Sequence, residues 1–384
     1  MKKKESLCIF YDADYPTQPG GAQKRLFELG LLAKKNFDEV LWVSFKFWKK
    51  SKYYDFEGIK FTGILRKPKF YDSKGKRNGY EPILYLLNCI LSLPKYYKSK
   101  TWVIGQWPLL HIIPVVIIGL MLKKKIYIEW WETLQNQWLK RGSLGRIGAF
   151  VERVILWIGG YVYFVVDCEA EKELLLSVNH KAKVIVIENG VDTDYFKDNI
   201  KDKCYDFVSL GRLKDHKRVD LLVDATRIYI DKTNHKDVKV AILGDGPEMN
   251  NLLNLIDKNN LSKNIKMYGY VEKYTDIANV LLSSKVGVLT TVAGGSGNVT
   301  INELFAAGLP VLAIGSEEGI DLSYINNDIN GYMTSSISSN ELADLMIKII
   351  SNKQKLKEMS KHLYLNKESL DWKNKLKSHP SLEI

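Results

Sequence analysis

In the stretch VAGGSGNVTINELFAAGLPVLA, residues 292–313, a run of small residues leads into a helical pattern that carries one carboxylate, Glu303. Gly294, Gly295 and Gly297 let a backbone approach a ligand closely. Asn298, Val299 and Thr300 then offer free N–H groups at a helix N-terminus, where the dipole favours a phosphate. A carboxylate one turn in cannot hold phosphate, but it can accept two hydrogen bonds from a vicinal diol such as a ribose. Phosphate cradle plus diol acceptor reads as a nucleotide site. The competing reading is a loop made for tight packing, with Glu303 placed as a charge on the helix dipole.

Two further stretches point to the same chemistry. SLGRLKDHKRVDLLVDA (209–225) ends a strand at Gly211 and sets Arg212 and Lys217 five apart before a helix. At a strand's C-terminal edge both cations can meet a ligand: Arg offers a planar fork to a diphosphate, Lys a point charge. LGDGPEMNNLL (243–253) reads as strand, tight turn at Gly244 and Gly246, Pro247 in the first helical turn, then helix. That stretch is equally a well-made strand–helix turn and nothing more.

The elements that must position these residues alternate along the chain. SLCIFYD, EVLWVSF, TWVIGQW, KIYIEWW, YVYFVVD and AKVIVIENG read as strands in the first half, and YDFVSLG, VKVAILGDG, NIKMYGY, KVGVLTT and LPVLAIG in the second. Helical patterns separate them, such as GAQKRLFELGLLAKK, EPILYLLNCILSLPKYY and VDLLVDATRIYI. Such alternation implies parallel sheets covered by helices on both faces. Two sets imply two Rossmann-like α/β domains facing a central cleft, where ligands of open sheets bind. The expected division is an N-terminal domain over 1–195, a C-terminal nucleotide-binding domain over 196–365, and a charged helical segment over 366–384.

The chain has 384 residues, 46% of them apolar, enough for two cores. Its net charge of +12 is lopsided: residues 1–187 hold 31 Lys and Arg against 17 Asp and Glu, while 188–384 hold 25 against 27. The excess is either a solvated basic face or a surface for an anionic partner. Lysines interleave with aromatics in FKFWKKSKYYDF and KYYKSKTW, which favours an anionic membrane surface. The same mixture suits single-stranded nucleic acid, the weaker reading. The runs LLHIIPVVIIGLML (109–122) and VILWIGGYVYFVV (154–166) fall short of the about 18 residues a span needs and read as buried helix or strand. LCIFY is too short for a secretory h-region. Cys8, Cys89, Cys168 and Cys204 lie far apart without metal spacing. A cytoplasmic protein, peripheral at the inner face of the cell membrane, is the expectation. Asp12-Ala13-Asp14 and Asp192-Thr193-Asp194 each match a three-residue metal pattern too short to carry weight, so no metal is expected. Neither GxGxxG, a Walker loop nor GxSxG occurs, which sets aside dehydrogenase, ATPase and hydrolase.

Taken together, VIENGVDTDYF, GRLKDHKRVDLLVDA, ILGDGPE, GSGNVTINELFAAGLPVLA and NDINGYM resemble the signature segments of family 4 glycosyltransferases, retaining enzymes of the GT-B fold that use nucleotide sugars. PGGAQKRLFELGLLAKK (19–35) resembles that family's Gly-Gly loop and first helix. The resemblance implies that Arg212 and Lys217 bind the donor diphosphate and that Glu303 holds the ribose hydroxyls. It implies backbone contacts to phosphate from Asn298, Val299 and Thr300, close approach at Gly211, Gly244, Gly246 and Gly297, and closure by Gly20 and Gly21 from the opposite domain. It also implies a nucleotide-sugar site in the 196–365 domain and a final helix over 366–384 that returns to the first domain. The reaction implied is sugar transfer from a nucleoside diphosphate sugar to a hydroxyl of a glycan or lipid-linked acceptor, as in cell-surface polysaccharide or glycolipid synthesis, with no cofactor beyond the donor. The family's glutamate pair is incomplete: eight positions before Glu303 stands Gly295, and Trp131 stands near the usual histidine. These departures keep two alternatives open, a non-catalytic nucleotide-sugar-binding protein of the same fold and a GT-B sugar-nucleotide epimerase.

Overall fold

Strands buried on both faces read as unbroken apolar runs rather than alternating ones, and the central strands of this chain are of that kind. A computed structural model describes residues 5–18, 20–49, 51, 53–68, 79–135, 138, 143–197, 202–292, 298–315 and 322–383. The chain divides into two units, one of Met1–Glu188 with Lys375–Ile384, the other of Asn189–Asn374.

In the first unit the order is β1 (Ser6–Phe10), α1 (Gly21–Ala33), β2 (Glu39–Val43), β3 (Tyr53–Phe56), β4 (Ile59–Thr62), α2 (Glu81–Tyr96), β5 (Thr101–Gly105), α3 (Ile112–Met121), β6 (Lys125–Glu129), α4 (Ser143–Ile158), β7 (Tyr163–Val166), α5 (Glu169–Val178) and β8 (Lys183–Val186). The described strands form one sheet in the order β3-β4-β2-β1-β5-β6-β7-β8, parallel except for the β3–β4 hairpin. The chain winds outward from β1 to one side and from β5 to the other, so the topological switch lies between them. Tyr85, Cys89 and Leu93 of α2, Val115 and Val116 of α3 and Ile155 of α4 share one core with the sheet, so these three helices cover the same face.

The second unit contains β9 (Tyr205–Leu210), α6 (Asp220–Thr233), β10 (Val240–Leu243), α7 (Met249–Lys258), β11 (Ile265–Gly269), α8 (Tyr274–Leu282), β12 (Ser284–Leu289), α9 (Asn298–Ala306), β13 (Val311–Ala313), β14 (Gly331–Met333), α10 (Ser339–Ser351), α11 (Lys353–Asn366) and α12 (Trp372–Leu376), whose last two residues belong to the first unit. Its described strands are all parallel, in the order β11-β10-β9-β12-β13-β14. Successive residues go to different cores: Phe207, Ile242 and Val288 to one face, Val208, Ala241 and Leu289 to the other. Here the switch lies between β9 and β12.

Residues 189–195, placed by the sequence reading in the first domain, belong to the second unit, where Val191 packs into a core beside Phe196. Across from them Val191 pairs with Asp371, Thr193 Oγ1 donates to Asp371 Oδ2 at 2.9 Å, and Lys367 Nζ donates to the Phe196 carbonyl at 2.9 Å. Past Asn374 the chain returns to the first unit, where Leu376 and His379 are buried.

That return is fixed by charge as well as by apolar packing. Arg25 Nε donates to Glu129 Oε2 at 2.7 Å, and His379 Nε2 meets Glu129 Oε1 at 2.8 Å, all three side chains buried. The Ser381 backbone N–H donates to His379 Nδ1 at 3.1 Å, so Nδ1 is an acceptor and Nε2 carries the proton given to Glu129. Arg25 and Glu129 form a buried ion pair, and His379 hydrogen-bonds the other oxygen of the carboxylate. Burial pushes the Glu129 carboxyl up, but the Arg25 charge and the His379 hydrogen bond outweigh it and hold the group below the usual carboxylate range.

Candidate functional site

At the C-terminal edge of the second sheet, the loops after β9 and β12 leave the switch point, where open α/β sheets take ligands. β9 ends at Leu210, and Gly211 turns the chain with φ +150°. Leu213 is buried and anchors the loop. Its N–H donates to the Asp245 carbonyl at 3.0 Å, and its own carbonyl accepts from Glu248 at 3.1 Å. Thr290 Oγ1, just past β12, donates to the Lys217 carbonyl at 2.7 Å, and the Val292 N–H to the His216 carbonyl at 3.0 Å. The two loops are thus tied through backbone. A narrow pocket opens between them, lined by Gly211, Arg212, Lys217, Leu289, Thr290 and Thr291.

The pocket's charge is positive and uncompensated. Arg212 is exposed and Lys217 half-buried, and neither forms an ion pair among the described residues. Burial, and then the charge of Lys214, hold the Lys217 ammonium below its ordinary value. A partly desolvated cation beside another cation gains most from an anionic ligand.

Gly244 and Gly246 serve this loop from below. Gly244 has φ +135°, and a Cβ there would stand 1.9 Å from the Gly211 carbonyl oxygen. A Cβ on Gly246 would stand 2.2 Å from the Leu213 carbonyl oxygen. Their place is the backbone packing of the turn after β10 against the loop that carries Arg212 and Lys217.

Helix α9 follows β12 across the same edge. Ile301, Leu304 and Phe305 bury it in the core, which leaves Asn298, Val299 and Thr300 as its first turn with N–H groups that have no helical partner. Asn302 Nδ2 donates to the Asn189 carbonyl at 2.8 Å and fixes the helix further. The glycine loop before it, with Gly294, Gly295 and Gly297, lies outside the described residues. Glu303 is half-buried as a residue, yet burial around its carboxyl pushes the group up to about 7, against the lowering effect of a hydrogen bond from the Tyr274 hydroxyl. Tyr274 opens α8 and is held by the rings of Tyr195 and Phe196, with centroids at 4.8 and 6.3 Å. Sequence reasoning missed Tyr274, because a tyrosine at the start of an ordinary helix carries no spacing signal.

The remaining glycines belong to the first unit. Gly20 is the N-cap of α1 in extended conformation, Gly21 its first residue, and a Cβ on Gly21 would meet nothing within 4 Å. The structure therefore gathers Gly211, Arg212, Lys217, Gly244, Gly246 and the first turn of α9 on one sheet edge, and sets Gly20 and Gly21 in the other unit, after the strand at that sheet's own switch. Of the tryptophans considered as an acceptor wall, Trp130 is a core residue that donates to Thr133 Oγ1 at 2.8 Å. Trp131 lies edge-on to Tyr11 at 5.7 Å, and Trp138 donates to Glu152 Oε2 at 2.9 Å. Among the described residues no three His, Cys, Asp or Glu side chains group so as to hold a metal ion.

Residues 191–365 match the family model of glycosyl transferases group 1. A poly(ribitol-phosphate) α-N-acetylglucosaminyltransferase of Staphylococcus aureus is 27% identical over 37% of this chain and 28% of its own length. A UDP-Gal:α-D-GlcNAc-diphosphoundecaprenol α-1,3-galactosyltransferase of Escherichia coli is 28% identical over 44% of this chain and 46% of its own. The chain spans less than half the length of both curated relatives. The crystal structure of Anabaena HepE in complex with UDP superposes with a TM-score of 0.72 at 16% identity, covering 97% of each chain. The fold is thus that of GT-B proteins, two parallel-sheet α/β units, and the second unit carries the glycosyl transferases group 1 pattern.

Proposed function

We propose that this chain is a retaining family 4 glycosyltransferase that moves a sugar from a UDP-sugar to a hydroxyl of a glycan or lipid-linked saccharide at the cytoplasmic face of a membrane. The observation that carries the reading is the conjunction at one sheet edge of Arg212 and Lys217, without an ion pair among the described residues, the first turn of α9, and a carboxyl one turn further in. A nucleoside diphosphate presents the matching features in order, phosphates and then a ribose diol. UDP as the base is supported by the UDP complex of HepE and the UDP-Gal donor in the name of the E. coli relative. The names of the two curated relatives, which give a poly(ribitol-phosphate) and a diphosphoundecaprenol, support the acceptor class.

The barrier to transfer lies in breaking the anomeric C–O bond as negative charge builds on the departing diphosphate. Arg212, Lys217 and the α9 amides stabilise that charge more in the transition state than in the ground state, which is what accelerates the step. Retention follows if the acceptor hydroxyl attacks on the face the diphosphate leaves. The leaving phosphate oxygen then takes the hydroxyl proton as the new C–O bond forms. Titration calorimetry with UDP, GDP and ADP tests the reading. UDP is expected to bind, and Arg212→Ala and Glu303→Ala each to weaken it by ~1–3 kcal/mol, the size of a charge-assisted hydrogen bond. Absence of binding by all three nucleotides overturns it.

A further inference from the structure

The outer face of the first unit is apolar where a solvated helix layer is polar. Helix α2 buries Tyr85, Cys89 and Leu93 toward the sheet, yet Ile83, Leu87, Ile90 and Leu91 repeat at helical spacing on its opposite, exposed side. A helix apolar all round has a partner on both sides. Next to it, α3 exposes Ile117, Leu120 and Met121, the last to 77%. The sequence reading had this run buried throughout, and it is buried on one side only. Helix α4 carries a stripe of Arg146, Phe150, Arg153 and Trp157, all exposed, with Phe150 at 69% and Trp157 at 71%. Since the three helices lie on one face of one sheet, these residues look outward together.

The exposed charge of these three helices has one sign, while α5, which reaches the same core through Leu175, adds exposed Glu169 and Glu173 beside it. The acids of the three helices, Glu81 and Glu152, are buried. Lys95 and Lys98 flank the end of α2, Lys123 and Lys125 the end of α3, and the two arginines run through the α4 stripe, all exposed. Tyr97, after α2, and Tyr161, after α4, add exposed aromatic rings at the helix ends.

We infer that the outer face of α2, α3 and α4 docks on an anionic phospholipid surface. Apolar side chains enter the acyl boundary, aromatic rings sit at headgroup depth, and Lys and Arg meet the phosphates, the arrangement of an interfacial surface. A second copy fits worse, because an isologous contact would set this cationic face against itself. A globular protein partner fits worse too, since protein interfaces are depleted in lysine. No helix among the described residues is long and apolar enough to cross a membrane, so the attachment is to a surface. The inference deepens the membrane location proposed above, and its test reads no turnover, so its failure leaves the transfer chemistry standing.

The full chain is sedimented with phosphatidylcholine vesicles, with and without phosphatidylglycerol, at low and high salt. Two double variants are compared with it, Phe150→Asp with Trp157→Asp, and Arg146→Glu with Arg153→Glu. All four side chains are exposed, so the thermal melts are expected to match the parent. Phosphatidylglycerol is expected to raise binding, salt to lower the electrostatic part, and each double variant to reduce partition about tenfold or more. Binding that ignores the variants, or no binding at all, overturns the proposal. So does a parent chain that is dimeric by light scattering while the variants are monomeric and vesicle binding is absent, which assigns the face to a second copy.

Discussion

Glu303 makes the candidate site sensitive to pH in a range where carboxylates are ordinarily silent. Burial holds its carboxyl protonated up to about 7, while a ribose diol is best held by the ionised form, which accepts two hydrogen bonds. Affinity for a UDP-sugar, whose diphosphate is esterified at both ends and does not titrate here, is expected to fall as pH drops below about 7, approaching tenfold per pH unit. Calorimetry across pH checks this, and Glu303→Gln is expected to bind weakly and almost independently of pH. Stability runs the other way. A carboxyl raised in the folded state binds more protons there than when unfolded, so its contribution to stability is lost as pH rises from about 4.5 to about 7. Glu171, pushed up to about 7 by burial against a hydrogen bond from Thr133, titrates in the same window with the same sign. Ligand binding therefore isolates Glu303 and a melt does not.

At the scale of elements, the loop bearing Arg212 and Lys217 depends on the turn beneath it. Gly244→Ala puts a methyl 1.9 Å from the Gly211 carbonyl at a φ of +135°, and is expected to destabilise by about 2–4 kcal/mol in urea unfolding. Gly21→Ala is the contrast: its Cβ meets nothing within 4 Å in a helical position, so stability should hold. Most of these elements were legible from sequence because a strand ending in glycine followed by a helical period is a local signal. The exceptions are informative. The β3–β4 hairpin is half-exposed and interrupted by charge, and it turns at Glu57 and Gly58 with φ of +52° and +75°, without the usual Asn-Gly or Asp-Gly. Strand β14 has three residues, too few to show a period. The exposed side of α3, read from sequence as buried, differs because an all-apolar helix has the same sequence whether a core or another surface covers its second side.

At the scale of the whole molecule, what sequence reasoning could not reach is the buried charge. Arg25 and Glu129 lie 104 residues apart, and Glu129 and His379 lie 250 apart, so no spacing could pair them. Glu129→Gln leaves the Arg25 charge buried without its counter-ion, a change expected to cost about 3–5 kcal/mol. A calorimetric melt should show it as a lowered transition of the first unit, with the second unit's transition unmoved. The same arrangement has a consequence for how the chain is made. Translation lays down every described strand of the first sheet by Val186, yet the imidazole that closes on Glu129 is added only after all of the second unit. A nascent chain therefore carries a half-finished Arg25–Glu129 pair, open where His379 and Leu382 will lie, while the whole second unit is made. Of the two units, the one translated first is completed second, and the other, contiguous from Asn189 to Asn374, can fold before it.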